Sequence, residues 1–158
     1  MGRVEPHATS AVAATGAALA DAVVAALPGW VERSVARILV AWEGGVPDPA
    51  VMETAREAGR RAAEEVGPAF RALLEADIDD QRTTPLALLR AAVRYPTGVL
   101  EDAGVPPVER DPIQVRLLPD DLYDLSPASF ADVDPALAEP GMVWGAAKAL
   151  AHRRRHAP

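Results

Sequence analysis

Between residues 8 and 78 apolar side chains recur at three- and four-residue steps, and alanine fills many of the positions between them. That spacing lays one apolar stripe along a helix, and alanine keeps the stripe narrow. A core of Ala, Val and Leu brings thin helices close together; it does not fill the space between two wide sheets. Hydrophobic residues are 49% of the chain but aromatics only 4%, so small side chains must set the packing distance. The length of 158 residues suits one domain. The pattern therefore predicts an all-α fold, a single compact helical bundle of five or six helices with an irregular acidic segment before the last helix. Residues 1–7 and 153–158 read as flexible ends of that single domain.

Prolines and glycines divide the pattern. Val12, Gly16, Leu19, Val23 and Leu27 mark a first helix over 8–27, which Pro28-Gly29 is expected to end because proline lacks the N–H and clashes with the preceding turn. A second helix over 30–43 turns Val31, Val35, Ile38, Leu39 and Trp42 inward and Glu32, Arg33 and Arg37 outward. So short a link predicts an antiparallel hairpin of these two. After the loop Gly44-Gly45-Val46-Pro47, Asp48 caps a third helix over 49–80 with Pro49 at its first position. Val51, Ala55, Ala58, Ala62 and Val66 face inward, and Glu57 is spaced to pair with Arg60 and Arg61. Gly67-Pro68 should kink or split this helix; Phe70, Leu73, Leu74 and Ile78 continue its stripe.

The stretch over 81–111 carries the densest signals. Thr84 and Pro85 open a helix on which Leu86, Leu89 and Val93 face one way and Arg90 and Arg94 another. Pro96 either bends it or starts a new one. Gly104, followed by Val105 and Pro106-Pro107, marks a helix end with glycine just past the last turn. Over 113–117 the chain alternates weakly, as a short extended piece would. Ser126-Pro127 and Asp134-Pro135 each resemble a cap with a first-turn proline. A last helix is expected from Pro140 or Gly141 through Trp144, Ala147 and Leu150 to about Arg155, its cations suiting the negative pole of the helix.

The formal charge is −7 and the isoelectric point about 4.9, which repels phosphate backbones and argues against a specific nucleic-acid partner. From Glu101 to Glu139 ten acids stand against Arg110 and Arg116, whereas Lys148, Arg153, Arg154 and Arg155 carry +4 without an acid among them. These opposed blocks either pair, within one chain or between two copies, or stay solvated. The Arg153, Arg154 and Arg155 tail can also touch anionic surfaces weakly. No cysteine is present, so thiolate chemistry is excluded and a reducing, cytoplasmic setting is expected. Residues 8–27 are apolar, but Thr9, Ser10, Thr15, Gly16 and Asp21 interrupt them and alanine inserts poorly, so no transmembrane segment is expected.

Few residues invite chemistry. Glu75, Asp77, Asp79 and Asp80 cluster, with Glu75 and Asp79 one turn apart, yet no histidine completes a di-iron set and no glycine and glutamate complete a calcium loop. Solvated acids pairing with Arg82, Arg90 or Arg94 are the plainer reading, and no metal or cofactor is expected. His152 and His156 have zinc spacing but sit among three arginines, which oppose a dication. Asp120, Asp121, Tyr123 and Asp124 either line a polar pocket or form a surface loop that Tyr123, Leu125 and Phe130 pin onto the helices; the loop is the stronger reading. No nucleophile elbow or phosphate loop occurs. A helix-turn-helix over 88–104 would put Glu101 and Asp102 on its reading helix and be repelled from a groove.

The runs QRTTPLALLRAAVRYPTGVLEDAGVPPVERD, PDDLYDLSPASFADVDP and EPGMVWGAAKAL, and less closely WVERSVARILVAW, resemble a small family of hypothetical proteins from high-GC Gram-positive bacteria. No activity is attached to that family, so the resemblance carries no functional residue over.

The leading expectation is a noncatalytic helical adaptor, regulatory or self-associating protein whose partner is another protein or a second copy. The alternative is an enzyme or small-ligand-binding protein with a polar pocket near Asp80, Arg90, Arg94, Tyr95 and Tyr123. Buried Arg94, Asp80 and Tyr123 converging on a cavity would favour the pocket; an exposed patch holding Trp30 or Trp144 would favour a partner.

Overall fold

The computed structural model describes residues 6–75, 85–109, 122–125 and 130–137, and for 6–17, 19, 74–75, 85–86, 130 and 136 the backbone alone. The described part is all helix, turn and loop. The helices are α1 (Pro6–Glu43), α2 (Pro49–Glu75), α3 (Pro85–Ala92), α4 (Arg94–Asp102) and the single turn α5 (Phe130–Val133), followed by a 3-10 turn over Pro135–Leu137. Four helices of two turns or more are thus present among the described residues, against the expected five or six. The expected extended piece over 113–117 and the last helix over 140–155 lie outside them.

The largest correction concerns Pro28. It does not end a helix; it sits inside α1, which runs unbroken for 38 residues. The reason lies in the stripe. Ala20, Val23, Leu27, Trp30, Val31, Ser34, Val35 and Leu39 are all buried, and their three- and four-residue steps cross Pro28 without losing phase. Proline inside a helix costs about 3 kcal/mol, whereas burying each Val or Leu of the stripe contributes roughly 1.5–3 kcal/mol. Packing on both sides outweighs the missing hydrogen bond. Pro6 and His7 likewise belong to α1 rather than to a loose end.

The hairpin therefore forms one link later, between α1 and α2. Gly44 and Gly45 adopt φ of 71° and 76°, the left-handed region that glycine enters without penalty. The Gly44 N–H donates to the Val40 carbonyl at 2.9 Å, closing α1. Three residues on, the Asp48 carboxylate accepts from the Ala50 N–H at 2.9 Å and caps α2 as the sequence predicts.

The two long helices run antiparallel, with Asp21 opposite Arg71 (2.7 Å), Val24 opposite Gly67, Pro28 opposite Gly59 and Glu32 opposite Arg56 (3.8 Å). Ala55, Ala58, Ala62, Val66, Phe70 and Leu73 form the buried face of α2. A Cβ on Gly59 would lie 2.8 Å from the Pro28 Cα and 2.9 Å from its carbonyl oxygen. One on Gly67 would meet the Val24 side chain at 3.1 Å. Gly67-Pro68 does not split α2, which stays one helix through both residues. On its outer face Arg56 pairs with Glu53 at 2.8 Å, one turn ahead of the pairing expected at Glu57.

α4 packs on both long helices and α3 on α2. The break between α3 and α4 falls at Val93 rather than at Pro96, which lies in the first turn of α4, where its missing N–H is tolerated. Gly104, at φ 78°, closes α4: its N–H donates to Glu101 and that of Val105 to Leu100, each at 3.0 Å. Leu100 and Val105 are both buried beneath this stop.

Trp42 is the second correction. It is 45% exposed, because the buried stripe of α1 ends at Leu39 and Trp42 lies beyond it at the hairpin tip. Trp30 instead supplies the buried indole. Trp30→Ala is expected to cost about 3–5 kcal/mol and Trp42→Ala under about 1 kcal/mol in urea unfolding; equal losses would contradict this placement. Two glycine substitutions should diverge in the same assay. Gly59→Ala should destabilise by roughly 1–3 kcal/mol, because the atoms it meets are backbone. Gly98→Ala, with nothing within 4 Å of its new methyl, should stabilise by about 0.4–1 kcal/mol. A Gly59→Ala protein as stable as wild type would disprove the close crossing.

Candidate functional site

Of the five residues expected around a pocket, Asp80 lies outside the described residues, as do Asp77 and Asp79. Among the described residues no three His, Asp or Glu side chains are placed to hold a metal ion. Arg90 is exposed on α3.

Arg94 and Tyr95 do come together, and the residue they share is Glu65, which sequence reasoning missed. The Tyr95 hydroxyl donates to the Glu65 carboxylate at 2.5 Å, and Arg94 Nη2 donates to the same carboxylate at 3.1 Å and to the Tyr95 hydroxyl at 2.8 Å. The guanidinium also stands 4.9 Å from the centre of the Tyr95 ring, within cation–π range. Helix geometry explains the cluster: adjacent positions at the start of α4 project toward the exposed flank of α2, where Glu65 sits beside buried Val66. The only signal was an acid on the outer face of a helix, which spacing within one helix cannot connect to a partner 29 residues away.

The cluster joins the start of α4 to the outer flank of α2. Tyr95 is 8% exposed, yet the Arg94 and Glu65 side chains remain 65% and 53% exposed. Ion pairs so open to water contribute about 0–1 kcal/mol. Burial pushes the Tyr95 phenol above its ordinary value; its bond to Glu65 adds to the rise, and Arg94 acts against it. The Arg94 guanidinium is held above its own usual value, chiefly by the Tyr95 hydroxyl.

Tyr123 serves a different joint. It is buried, and its hydroxyl donates to the Val105 carbonyl at 2.7 Å. The Val108 N–H meanwhile donates to the Leu122 carbonyl at 2.9 Å. Tyr123 thus ties residues 122–125 to the end of α4, with Leu125 buried beside it in sequence; Phe130 belongs to α5, but its side chain lies outside the described ones. Burial again raises the phenol, with the Glu101 charge acting in the same direction.

Two further fastenings were not foreseen. Arg33 and Arg37, expected to point into solvent, donate to the backbone carbonyls of Val133 at 2.8 Å and Asp124 at 2.9 Å. They hold residues 122–125 and α5 along the flank of α1. Buried Val133 and Leu137 complete that contact, and the Asp134-Pro135 start is closed by the Leu137 N–H on the Asp134 carbonyl at 2.8 Å. On α4, the buried Thr97 hydroxyl has no hydrogen-bond partner among the described residues.

Among the described residues the large apolar side chains left exposed fall near the hairpin tip and, as Val108 and Leu122, beyond α4. Val40 is 46%, Trp42 45% and Val46 92% exposed. From Ile38 to Ala55 the chain holds Glu43, Asp48 and Glu53 and no Lys or Arg. No helix among the described residues is long and apolar enough to cross a membrane.

Both tyrosines in the chain have phenols raised by burial, so each folded form keeps its proton where the unfolded chain loses it, above about pH 10. Stability from this source is complete below that pH and is lost as pH rises through the folded values. Tyrosinate absorbance of the folded protein should therefore rise with a midpoint above about 10, returning to about 10 in denaturant. A folded midpoint at or below 10 would contradict the burial described. Tyr123→Phe, which strands the buried Val105 carbonyl, should cost about 1–3 kcal/mol, and Tyr95→Phe about 0.5–1.5 kcal/mol. Compared with known proteins, the chain matches no family model, no curated protein and no solved structure.

Proposed function

We propose that this chain is a noncatalytic helical binding protein, an adaptor or regulator that meets another protein or a second copy of itself through the α1–α2 hairpin tip. One observation carries the reading. Of the four candidate residues among the described ones, three are occupied in joints of the fold, Tyr95 and Arg94 on Glu65 and Tyr123 on Val105, while Arg90 stays exposed on α3. The large apolar side chains left exposed are Val40, Trp42 and Val46 near the tip and Val108 and Leu122 beyond α4, and of these Trp42 and Val46 flank Glu43 at the turn itself. Single exposed hydrophobes are ordinary; Trp42 and Val46 at one end of a hairpin, with the acid Glu43 between them and no cation near in sequence, favour a protein surface. Tryptophan is among the residues most enriched where binding energy concentrates.

The test couples affinity capture from the native host with sizing of the purified protein, comparing wild type with Trp42→Ser/Val46→Ser. Wild type should retain a protein, foreign or its own kind, and the double variant should lose it by at least about tenfold, or 1.4 kcal/mol. Its urea unfolding midpoint should stay unchanged, since neither side chain lies in the core. Equal retention by both proteins, or none by either, would overturn the proposal.

A further inference from the structure

α1 ends at the hairpin tip with its negative pole unanswered. The last carbonyls of a helix have no partner within it, and together they act as roughly half a negative charge. The Gly44 N–H takes the Val40 carbonyl at 2.9 Å, but among the described residues no turn or loop N–H reaches those of Ala41, Trp42 or Glu43, all of them exposed residues. A Lys or Arg in the last turn stabilises such an end. α1 has no cation there and carries Glu43 instead. The other helix end at the tip, the positive pole of α2, is already met by the Asp48 carboxylate. The nearest cations in sequence are engaged elsewhere: Arg37 donates to the Asp124 carbonyl at 2.9 Å, and Arg56 pairs with Glu53 at 2.8 Å and Glu32 at 3.8 Å.

The same turn offers a cation more than charge. Trp42 precedes Glu43 and is half-exposed, and an indole face attracts a cation electrostatically. Past it, Gly44 and Gly45 carry no side chain, and nothing stands within 4 Å of where a Cβ would be. A partner can therefore come close to the open carbonyls. Val46 then adds an apolar side chain that the fold leaves almost wholly bare. The other exposed apolar pair lacks these properties. The Val108 N–H is bonded to the Leu122 carbonyl, Arg37 reaches the Asp124 carbonyl two residues on, and the helix end before that pair is closed by the N–H groups of Gly104 and Val105.

We infer that the tip takes an arginine or lysine side chain of a protein partner, carried beside an apolar residue: the cation meets Trp42, Glu43 and the open end of α1, and the apolar residue meets Val46. The inference rests on the partner-binding reading of the tip and names the chemistry of its occupant. Arginine suits the place better than lysine, because its planar face stacks on an indole while its edge donates to oxygens. An acid at the same position of a partner is repelled by Glu43 and the helix end, so the tip sorts partners by sign. Because the contact is exposed, salt weakens it.

Two short labelled peptides, an Ala-Leu-Arg repeat and the same repeat with Gln for Arg, test this against the full chain by fluorescence anisotropy and NMR. Wild type should hold the arginine peptide at least about fivefold more tightly than the glutamine one, and added salt should narrow the gap. Binding should shift the indole N–H signal that is missing from Trp42→Ser. Glu43→Lys and Trp42→Ser should each weaken the arginine peptide by at least about fivefold. Glu64→Lys makes the same charge change on an exposed residue, roughly 22 Å along α2 from Pro49, and should weaken it less than about twofold. Melting curves should stay unaltered, since none of these side chains lies in the core. Equal losses in Glu43→Lys and Glu64→Lys would reduce the binding to net charge and overturn the inference, as would an arginine peptide that leaves the Trp42 signal unmoved. A glutamine peptide that binds and shifts that signal equally would overturn the preference for a cation while leaving the tip a protein surface. If neither peptide binds, the inference falls, and the capture experiment decides the partner-binding reading separately.

Discussion

The rest of the structure depends on how closely α1 and α2 approach where Pro28 faces Gly59. A methyl at Gly59 would sit less than 3 Å from the Pro28 backbone, closer than real side-chain atoms come to backbone. The narrow stripe of Ala55, Ala58 and Ala62 is useful only at that separation, because an alanine held farther away would leave a gap with no partner atoms. The same closeness makes Pro28 tolerable. Its lost hydrogen bond is a local penalty, whereas the stripe is buried along several turns on either side. α4 then seats on both helices at once, which requires their spacing to be settled first.

A second kind of interaction attaches the parts that form no long helix. Irregular chain brings backbone carbonyls with no helical donor, and buried ones must find another. Here side chains of the helical frame and of the segment itself supply them: Arg33 to Val133, Arg37 to Asp124, Tyr123 to Val105. The first two reach across 100 and 87 positions of sequence. Arginine suits the task because its long stem lies along the helix while its planar head presents several donors. The segment thus meets cations on α1 through its backbone carbonyls.

How legible all this was depended on range. Stops made within a few residues could be read: Asp48 with Pro49 and Gly104 with Val105 each form the cap their identities predict, and Gly44-Gly45 lie in the loop expected there. Tyr123 and Leu125 were legible as anchors because an aromatic and a leucine in a polar run have few other places to go. The end of the first helix was misread because proline was weighed as a local breaker, although the stripe on its two sides keeps one phase through Val23, Leu27, Val31 and Val35. Trp42 fits the same periodicity, but period says which way a side chain faces and not whether a neighbour extends far enough to cover it. Glu65, Arg33 and Arg37 could not be assigned, since each acts on an atom far away in sequence and the acceptors of the two arginines are backbone carbonyls that every residue carries. Asp80 and its neighbouring acids lie outside the described residues.

The tip differs from these joints in one respect that bears on how such a protein can change. Each joint couples two elements, so altering Tyr123 or Gly59 disturbs packing elsewhere. Trp42 and Val46 lie past Leu39, the last buried residue of α1, and before the cap of α2, so nothing in the described fold leans on them. The two glycines fix the direction of the turn through their backbone alone, leaving the side chains around it unconstrained by folding. A surface placed there can be reshaped residue by residue without moving the helix crossing beneath it.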